Sequence, residues 1–206
     1  SLFSDAAVAD GMTSILGDLR DDSAVQDAVQ QAQPEIVFHL AAQSLVRRSY
    51  REPAETFKTN LLGTVHVLEA CRRAPGLKAV VVITSDKCYE NDEQAEDFKE
   101  DDPLGGCDPY SASKACAELA THAYRLSFFS EPGNPLVATT RAGNVIGGGD
   151  WAEDRIITDA VRAWTADTPV EVRRPDATRP WQHVLDPVEG YLRLGAALLK
   201  DQPGVD

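Results

Sequence analysis

Two short stretches hold most of the chemistry in this chain, Thr84-Ser85-Asp86-Lys87 and Tyr110-Ser111-Ala112-Ser113-Lys114. Tyr110 and Lys114 are four residues apart, so on a helix they share one face. An ammonium beside a phenol favours the phenolate and lowers a pKa that is ordinarily about 10, which fits Tyr110 to act as a base near neutrality. Tyr and Lys at this spacing also occur on amphipathic helices with no chemical role. Here the hydroxyls of Thr84 and Ser85, the Asp86-Lys87 pair behind them, and the small residues Ser111, Ala112 and Ser113, which let a ligand approach, set the pair apart.

These groups need elements to position them. Ala79–Ile83 is a short, apolar, β-branched run that reads as a buried parallel strand ending at Thr84 and Ser85, and ligands sit at such strand ends. Residues 13–16, 35–40, 136–141 and 170–173 are the other expected strands. Helices are expected from a cap at Asp21 or Asp22 to residue 32, and over 53–74, 110–128, 154–164 and 187–199. Right-handed crossovers then make an α/β fold with a parallel sheet and flanking helices. The acidic stretch between Tyr89 and Asp108, with Glu93, Glu96, Asp97, Glu100, Asp101 and Asp102, reads as a solvated flap.

Composition narrows the class. A chain of 206 residues with 43% hydrophobic content can bury a sizeable core. A net charge of -13 argues against a nucleic-acid surface, although Arg173, Arg174 and Arg179 could form a local site for a pyrophosphate. Cys71, Cys88, Cys107 and Cys116 form no CxxC pair and do not cluster with His39, His66, His122 or His183 at zinc spacing, so no metal is expected and the thiols read as reduced, in a cytoplasmic enzyme. No apolar run is long enough to span a bilayer and no signal peptide opens the chain, so no membrane partner is expected.

Gly17-Asp18-Leu19-Arg20-Asp21, His39-Leu40-Ala41-Ala42-Gln43-Ser44, the segments 84–89, 108–114 and 141–151, and Thr178-Arg179-Pro180-Trp181-Gln182-His183 together resemble the extended short-chain dehydrogenase/reductase family. Within it the chain resembles the nucleotide-sugar 4,6-dehydratases. That resemblance implies a Rossmann-like sheet, NAD as cofactor and a nucleotide sugar as substrate. It places Ser85, Asp86, Lys87, Tyr110 and Lys114 in catalysis, and Asp18, Leu19, Ala41, Ala42, Asn60, Thr84, Tyr110 and Lys114 at the cofactor. Asn144, Arg155 and Arg179 fall at the substrate, with His183 a weaker candidate. Most 4,6-dehydratases carry Asp-Glu where this chain has Asp86-Lys87, and Asp-Lys marks the CDP-glucose branch, so the resemblance implies dehydration of CDP-glucose to CDP-4-keto-6-deoxyglucose by internal redox. Other nucleotide-sugar dehydratases or epimerases, and a nucleotide-sugar binder without turnover, are the alternatives. A homodimer or higher homo-oligomer is the expected assembly.

Several of these residues have a plainer reading. Asp18 could be a helix cap, Ala41 and Ala42 could serve close packing, Asp86-Lys87 could be a turn with a surface ion pair, and Arg179 could bridge its own loop. Lys87 can act as a base only if its pKa falls from about 10.4. Residues 1–11 contain neither an apolar strand nor a G-x-x-G-x-x-G turn to cradle a pyrophosphate. The chain is therefore expected to be the middle of a longer enzyme, binding NAD poorly and inactive on its own. Residues 1–146 are expected to form the partial NAD-binding domain and 147–206 a partial nucleotide-sugar region interleaved with it.

Overall fold

The computed structural model describes residues 6–91 and 97–200. The expected acidic flap lies partly outside them, at Glu93 and Glu96. Along the chain run α1 (Asp22–Ala32), β1 (Ile36–His39), α2 (Val46–Arg51), α3 (Pro53–Phe57), a π-helical turn (Lys58–Leu62) and α4 (Gly63–Arg72). They are followed by β2 (Ala79–Ile83), a 3-10 turn (Asp86–Cys88), α5 (Pro109–Phe128), β3 (Leu136–Thr140), β4 (Asn144–Ile146), α6 (Ile156–Thr165), β5 (Trp181–His183) and α7 (Leu185–Leu199).

The backbone divides into two compact units, Leu16–Ala142 with Val188–Asp206, and Ser1–Ile15 with Gly143–Pro187. The larger is a parallel sheet ordered β1-β2-β3, with Ile36 opposite Ala79 and Ala79 opposite Leu136. Alternation along β2 feeds two cores. Val80 and Val82 pack with Val67, Leu68, Cys71, Leu77, Phe129 and Val137 on one face. Ala79 and Val81 pack with Ala138 and Leu198 on the other. Both faces are buried, which is why β2 reads as an unbroken apolar run. Gly195 lets α7 lie flat on the second face, since a Cβ there would meet Ile36 Cδ1 at 2.6 Å and Phe38 Cζ at 2.7 Å. Helix α1 starts where Asp21 accepts from the Ala24 amide at 3.2 Å, the cap its sequence announces.

Two expected strands do not form among the described residues: residues 13–16 and 170–173 join no β ladder there, and Ile15, Leu16 and Val172 are exposed. A short run becomes a strand only where a neighbour completes its hydrogen-bond ladder. In the smaller unit that neighbour exists elsewhere: Asn144, Val145 and Ile146 run parallel to Trp181, Gln182 and His183. Helix α2 and the π-helical turn were also not expected. Helix α2 lies before the helix expected over 53–74, and the π-helical turn interrupts that helix.

Leu68 is fully buried between α4 and the sheet. Leu68→Ala is expected to lower unfolding free energy by about 3 kcal/mol, the usual result of emptying a rigid aliphatic site. Urea denaturation followed by circular dichroism measures this, and a loss below about 1 kcal/mol would show that the site collapses freely.

Candidate active site

Helix α5 is fixed at its start from three directions. Asp108 caps it, accepting from the amides of Tyr110 at 2.9 Å and Ser111 at 3.0 Å and from Ser111 Oγ at 2.6 Å. Ser49, fully buried on α2, accepts from the Tyr110 amide at 3.2 Å while donating to Val46 O at 2.6 Å. Gly106 (φ 144°) passes so close to α5 that a Cβ would meet Ser111 Cβ at 2.6 Å and the Ala112 amide nitrogen at 2.7 Å. Tyr110, 7% exposed, is thereby set in place before its side chain does anything.

One turn on, Lys114 is 6% exposed and donates to Ile83 O, the last carbonyl of β2, at 3.2 Å. Burial pulls its pKa down to about 8, against an opposing pull from the Glu118 carboxylate. The neighbouring His39 is held neutral, its pKa lowered to about 4 by burial first and by the Lys114 charge second. Thr64 Oγ1 donates to Asn60 O at 2.6 Å, so it accepts from His39 Nε2–H at 3.0 Å, which assigns the proton to Nε2. The π-helical turn aims Asn60 inward. Its amide oxygen accepts from the Gln43 amide at 2.8 Å, and its Nδ2 donates to Gln43 O at 3.0 Å and to Ser113 Oγ at 2.8 Å. Asn60, expected at the cofactor, thus commits its side chain to joining the loop after β1 to α5.

The segment after β2 holds the other residues singled out in the sequence, Thr84 to Lys87. Thr84 and Ser85 are each 6% exposed. Ser85 Oγ accepts from the Lys87 amide at 3.2 Å and donates to Asp86 Oδ1 at 3.0 Å, so it caps the 3-10 turn that presents Asp86 and Lys87. The Asp86 amide donates to Ala142 O at 3.1 Å. Asp86, Lys87 and, after β1, Ala42 remain half-buried at the carboxyl end of the sheet, while Ala41 is exposed. The carboxyl end of one sheet therefore gathers the buried ammonium, the Asp-Lys pair and a small-residue approach, with Tyr110 one helical turn before Lys114 on α5. Among the described residues, no group of three or more His, Cys, Asp or Glu is placed to hold a metal ion.

Asp18 and Leu19 precede α1 in the same unit. Asp18 is gripped by Arg20, whose Nε reaches Oδ1 at 2.9 Å and Oδ2 at 3.0 Å, and these bonds hold its carboxyl down to about 2. Leu19 O accepts from His66 Nδ1–H at 2.7 Å, and the side chain packs on the first core. Asn144, Arg155 and Arg179 belong to the smaller unit. The Asn144 amide donates to Pro180 O at 3.1 Å, Arg155 Nε lies 3.7 Å from Asp150, and exposed Arg179 donates to the adjacent Thr178 O at 2.6 Å. Sequence reasoning missed Glu118 and Arg141, although Glu118 stands four residues beyond Lys114 and continues the Tyr110–Lys114 face. Glu118 is 4% exposed and takes Arg141 in a two-pronged grip, at 3.1 Å from Nε and 3.0 Å from Nη2.

Comparison with known proteins places this geometry among relatives. Residues 3–204 match the model of the NAD dependent epimerase/dehydratase family. CDP-glucose 4,6-dehydratase of Salmonella typhimurium is 50% identical over 196 residues, covering 93% of this chain and 55% of that protein. A dTDP-glucose 4,6-dehydratase double mutant from Streptomyces venezuelae, solved with NAD and DAU bound, superposes with a TM-score of 0.77 at 25% identity, over 91% of this chain and 56% of that one. UDP-glucose 4-epimerase of Thermus thermophilus, in complex with NAD, gives a TM-score of 0.74 at 28% identity over 87% of this chain and 58% of that one. The chain thus spans about half the length of the first of these relatives.

Holding the Lys114 charge in a buried site costs about 3 kcal/mol, the equivalent of moving its pKa from 10.5 to about 8. Because the folded-state value lies below the unfolded one, the unfolded chain binds the extra proton between those two values, and stability contributed by Lys114 rises with pH across that window. Lys114→Met is therefore expected to unfold at higher urea than the parent at pH 7, with the gap narrowing as pH climbs from 8 towards 10.5. A variant that is less stable at pH 7, or a gap that widens with pH, refutes the buried-charge assignment.

Proposed function

The chain belongs to the NAD dependent epimerase/dehydratase family, and from that premise we propose that it carries the catalytic core of a CDP-glucose 4,6-dehydratase, a lyase forming CDP-4-keto-6-deoxyglucose. The observation that carries this reading is the Asp86-Lys87 pair, presented by a capped turn at the same sheet end as Tyr110 and the buried Lys114. Half-identity to a CDP-glucose 4,6-dehydratase supports the choice of nucleotide. Epimerisation needs no acid for a leaving hydroxyl, whereas dehydration does, and Asp86 supplies one.

NAD fits the donor set at this sheet end. Lys114 directs an ammonium with three N–H donors there and gives one to Ile83 O, leaving donors for ribose hydroxyls beside the Tyr110 phenol. Ala41, Ala42, Thr84, Tyr110 and Lys114 would line the nicotinamide half, Asp18 and Leu19 the adenine half, and Asn60 would position the loop between. Bound there, NAD would supply a reversible hydride acceptor for the hydride that leaves C4 of the sugar and is returned at C6.

Tyr110 accepts the proton of the C4 hydroxyl, and the Lys114 charge favours its phenolate. The resulting ketone acidifies C5. We assign the C5 proton to Lys87 and protonation of the departing C6 hydroxyl to Asp86, with Ser85 holding Asp86 through the 3.0 Å bond. The C6–O bond breaks, water leaves, and the C5 proton is restored. Asn144, Arg155 and Arg179 of the smaller unit are the proposed contacts for the nucleotide sugar. The planar guanidinium of Arg179 suits a pyrophosphate.

Two finer readings complete the proposal. Tyr50, Leu62, Leu119 and Leu126 are exposed, and Leu119 and Leu126, seven apart, share a face of α5, which supports a homodimer. Light scattering of the native protein should give twice the chain mass, and Leu119→Lys with Leu126→Lys should halve it; an unaltered mass removes α5 from the interface. The four cysteines are free thiols, which supports a reducing, cytoplasmic setting.

Supplying the native protein with NAD and CDP-glucose deuterated at C4 should place the label at C6 of a 4-keto-6-deoxy product. Label released into bulk NADH would identify a simple dehydrogenase, and label kept at C4 an epimerase. Faster turnover of UDP- or dTDP-glucose would move the substrate assignment.

A further inference from the structure

Glu118 and Arg141 lie beneath the proposed site and touch neither reacting group. Four side-chain hydrogen bonds reach the Glu118 carboxylate among the described residues: Thr84 Oγ1 and Arg141 Nε meet Oε1, while Thr139 Oγ1 at 2.8 Å and Arg141 Nη2 meet Oε2. The outer edge of the guanidinium faces the other way. Arg141 Nη1 donates to Tyr89 Oη at 2.9 Å and Glu100 O at 2.8 Å, and the guanidinium lies 4.8 Å from the centre of the Tyr89 ring. Tyr89 in turn stacks on Phe98, with ring centres 4.6 Å apart.

The consequence lies in what is held between these contacts. Glu118 grips Thr84 at one end of the segment and Arg141 grips Tyr89 at the other; Ser85, Asp86, Lys87 and Cys88 span the interval. The same carboxylate is fixed to α5 one turn beyond Lys114. We propose that Glu118 and Arg141 are a positioning pair that clamps both ends of the 84–89 segment to α5, so that Asp86 and Lys87 stay in register with Tyr110 and Lys114. This rests on reading the two pairs as one site. The two-pronged geometry matters because a planar guanidinium can hold the carboxylate along one edge and Tyr89 along another, which an ammonium cannot. The rival account is that packing of Cys88 and Tyr89 on Ala115 and Leu104 holds the turn unaided.

Two buried thiols separate these accounts without requiring turnover, so the outcome stands whether or not the protein dehydrates CDP-glucose. Cys88, fully buried, sits in the clamped turn, whereas Cys71, 1% exposed, sits in the first core and reports general unfolding. In the native protein carrying Cys107→Ser and Cys116→Ser, pulse labelling with N-ethylmaleimide and peptide mass analysis reads both. Glu118→Gln and Arg141→Lys should each speed labelling of Cys88 about ten-fold or more, the local opening expected when a charge-assisted hydrogen bond is lost, with Cys71 unchanged. Where turnover is measurable, kcat should fall with KM within about two-fold, since no substrate contact is removed. If either variant fails to fold, Tyr89→Phe removes one bond while keeping the ring, and should still speed Cys88 about three-fold. Unchanged Cys88 labelling, or Cys71 rising in step with it, overturns the proposal.

Discussion

A buried ammonium is the constraint around which the larger unit is arranged. Lys114 lies at the carboxyl ends of parallel strands with little access to water, and a charge so placed has to be compensated by protein dipoles and counter-charges or be lost. The fold supplies the Ile83 carbonyl directly and the Glu118 carboxylate one helical turn away. It keeps His39 neutral on the facing strand, so that no second cation competes. Arg141 in turn pairs with Glu118 at 3.0 Å, so the buried carboxylate has a partner of its own.

The same arrangement explains how a short helix and a single π-helical turn come to matter. Ser49 of α2 reaches the first amide of α5, and Asn60 reaches both the loop after β1 and Ser113. Neither side chain points at the open end of the sheet, yet together with the Asp108 cap they decide where Tyr110 begins its helix. A phenol can act on a sugar hydroxyl only if it is already oriented, because positional freedom at the reacting atom is lost rate. The polar residues of this region thus lie at two depths: a buried layer that fixes the start of α5, and a half-buried layer, Asp86 and Lys87, that stays open to solvent.

The elements most legible in the sequence were those whose signals are local. Asp21 and Asp108 announce helix starts, the run of β-branched residues in β2 announces a strand buried on both faces, and Tyr110 and Lys114 are bound to share a face once α5 forms. The parallel sheet follows from their order. Residues 13–16 and 170–173 show where local reading stops: both read as short strands, yet no described residue pairs with them in a ladder, while β4 and β5, three residues each and almost without pattern, do pair because they lie side by side.

Side-chain roles divide along the same line. Residue type and spacing were enough to single out Thr84 to Lys87 and Tyr110 to Lys114, because acid–base chemistry needs particular groups and a helix fixes their separation. They could not show that Asn60 turns towards Gln43 and Ser113, that Arg20 holds Asp18, or that Glu118, 34 residues from Thr84 and 23 from Arg141 in sequence, joins the two. Those are decisions of the tertiary structure. Whether a carboxylate is a solvated surface charge or the centre of a buried network depends on which donors converge on it from other elements, and convergence between distant segments leaves no mark on the residues nearby.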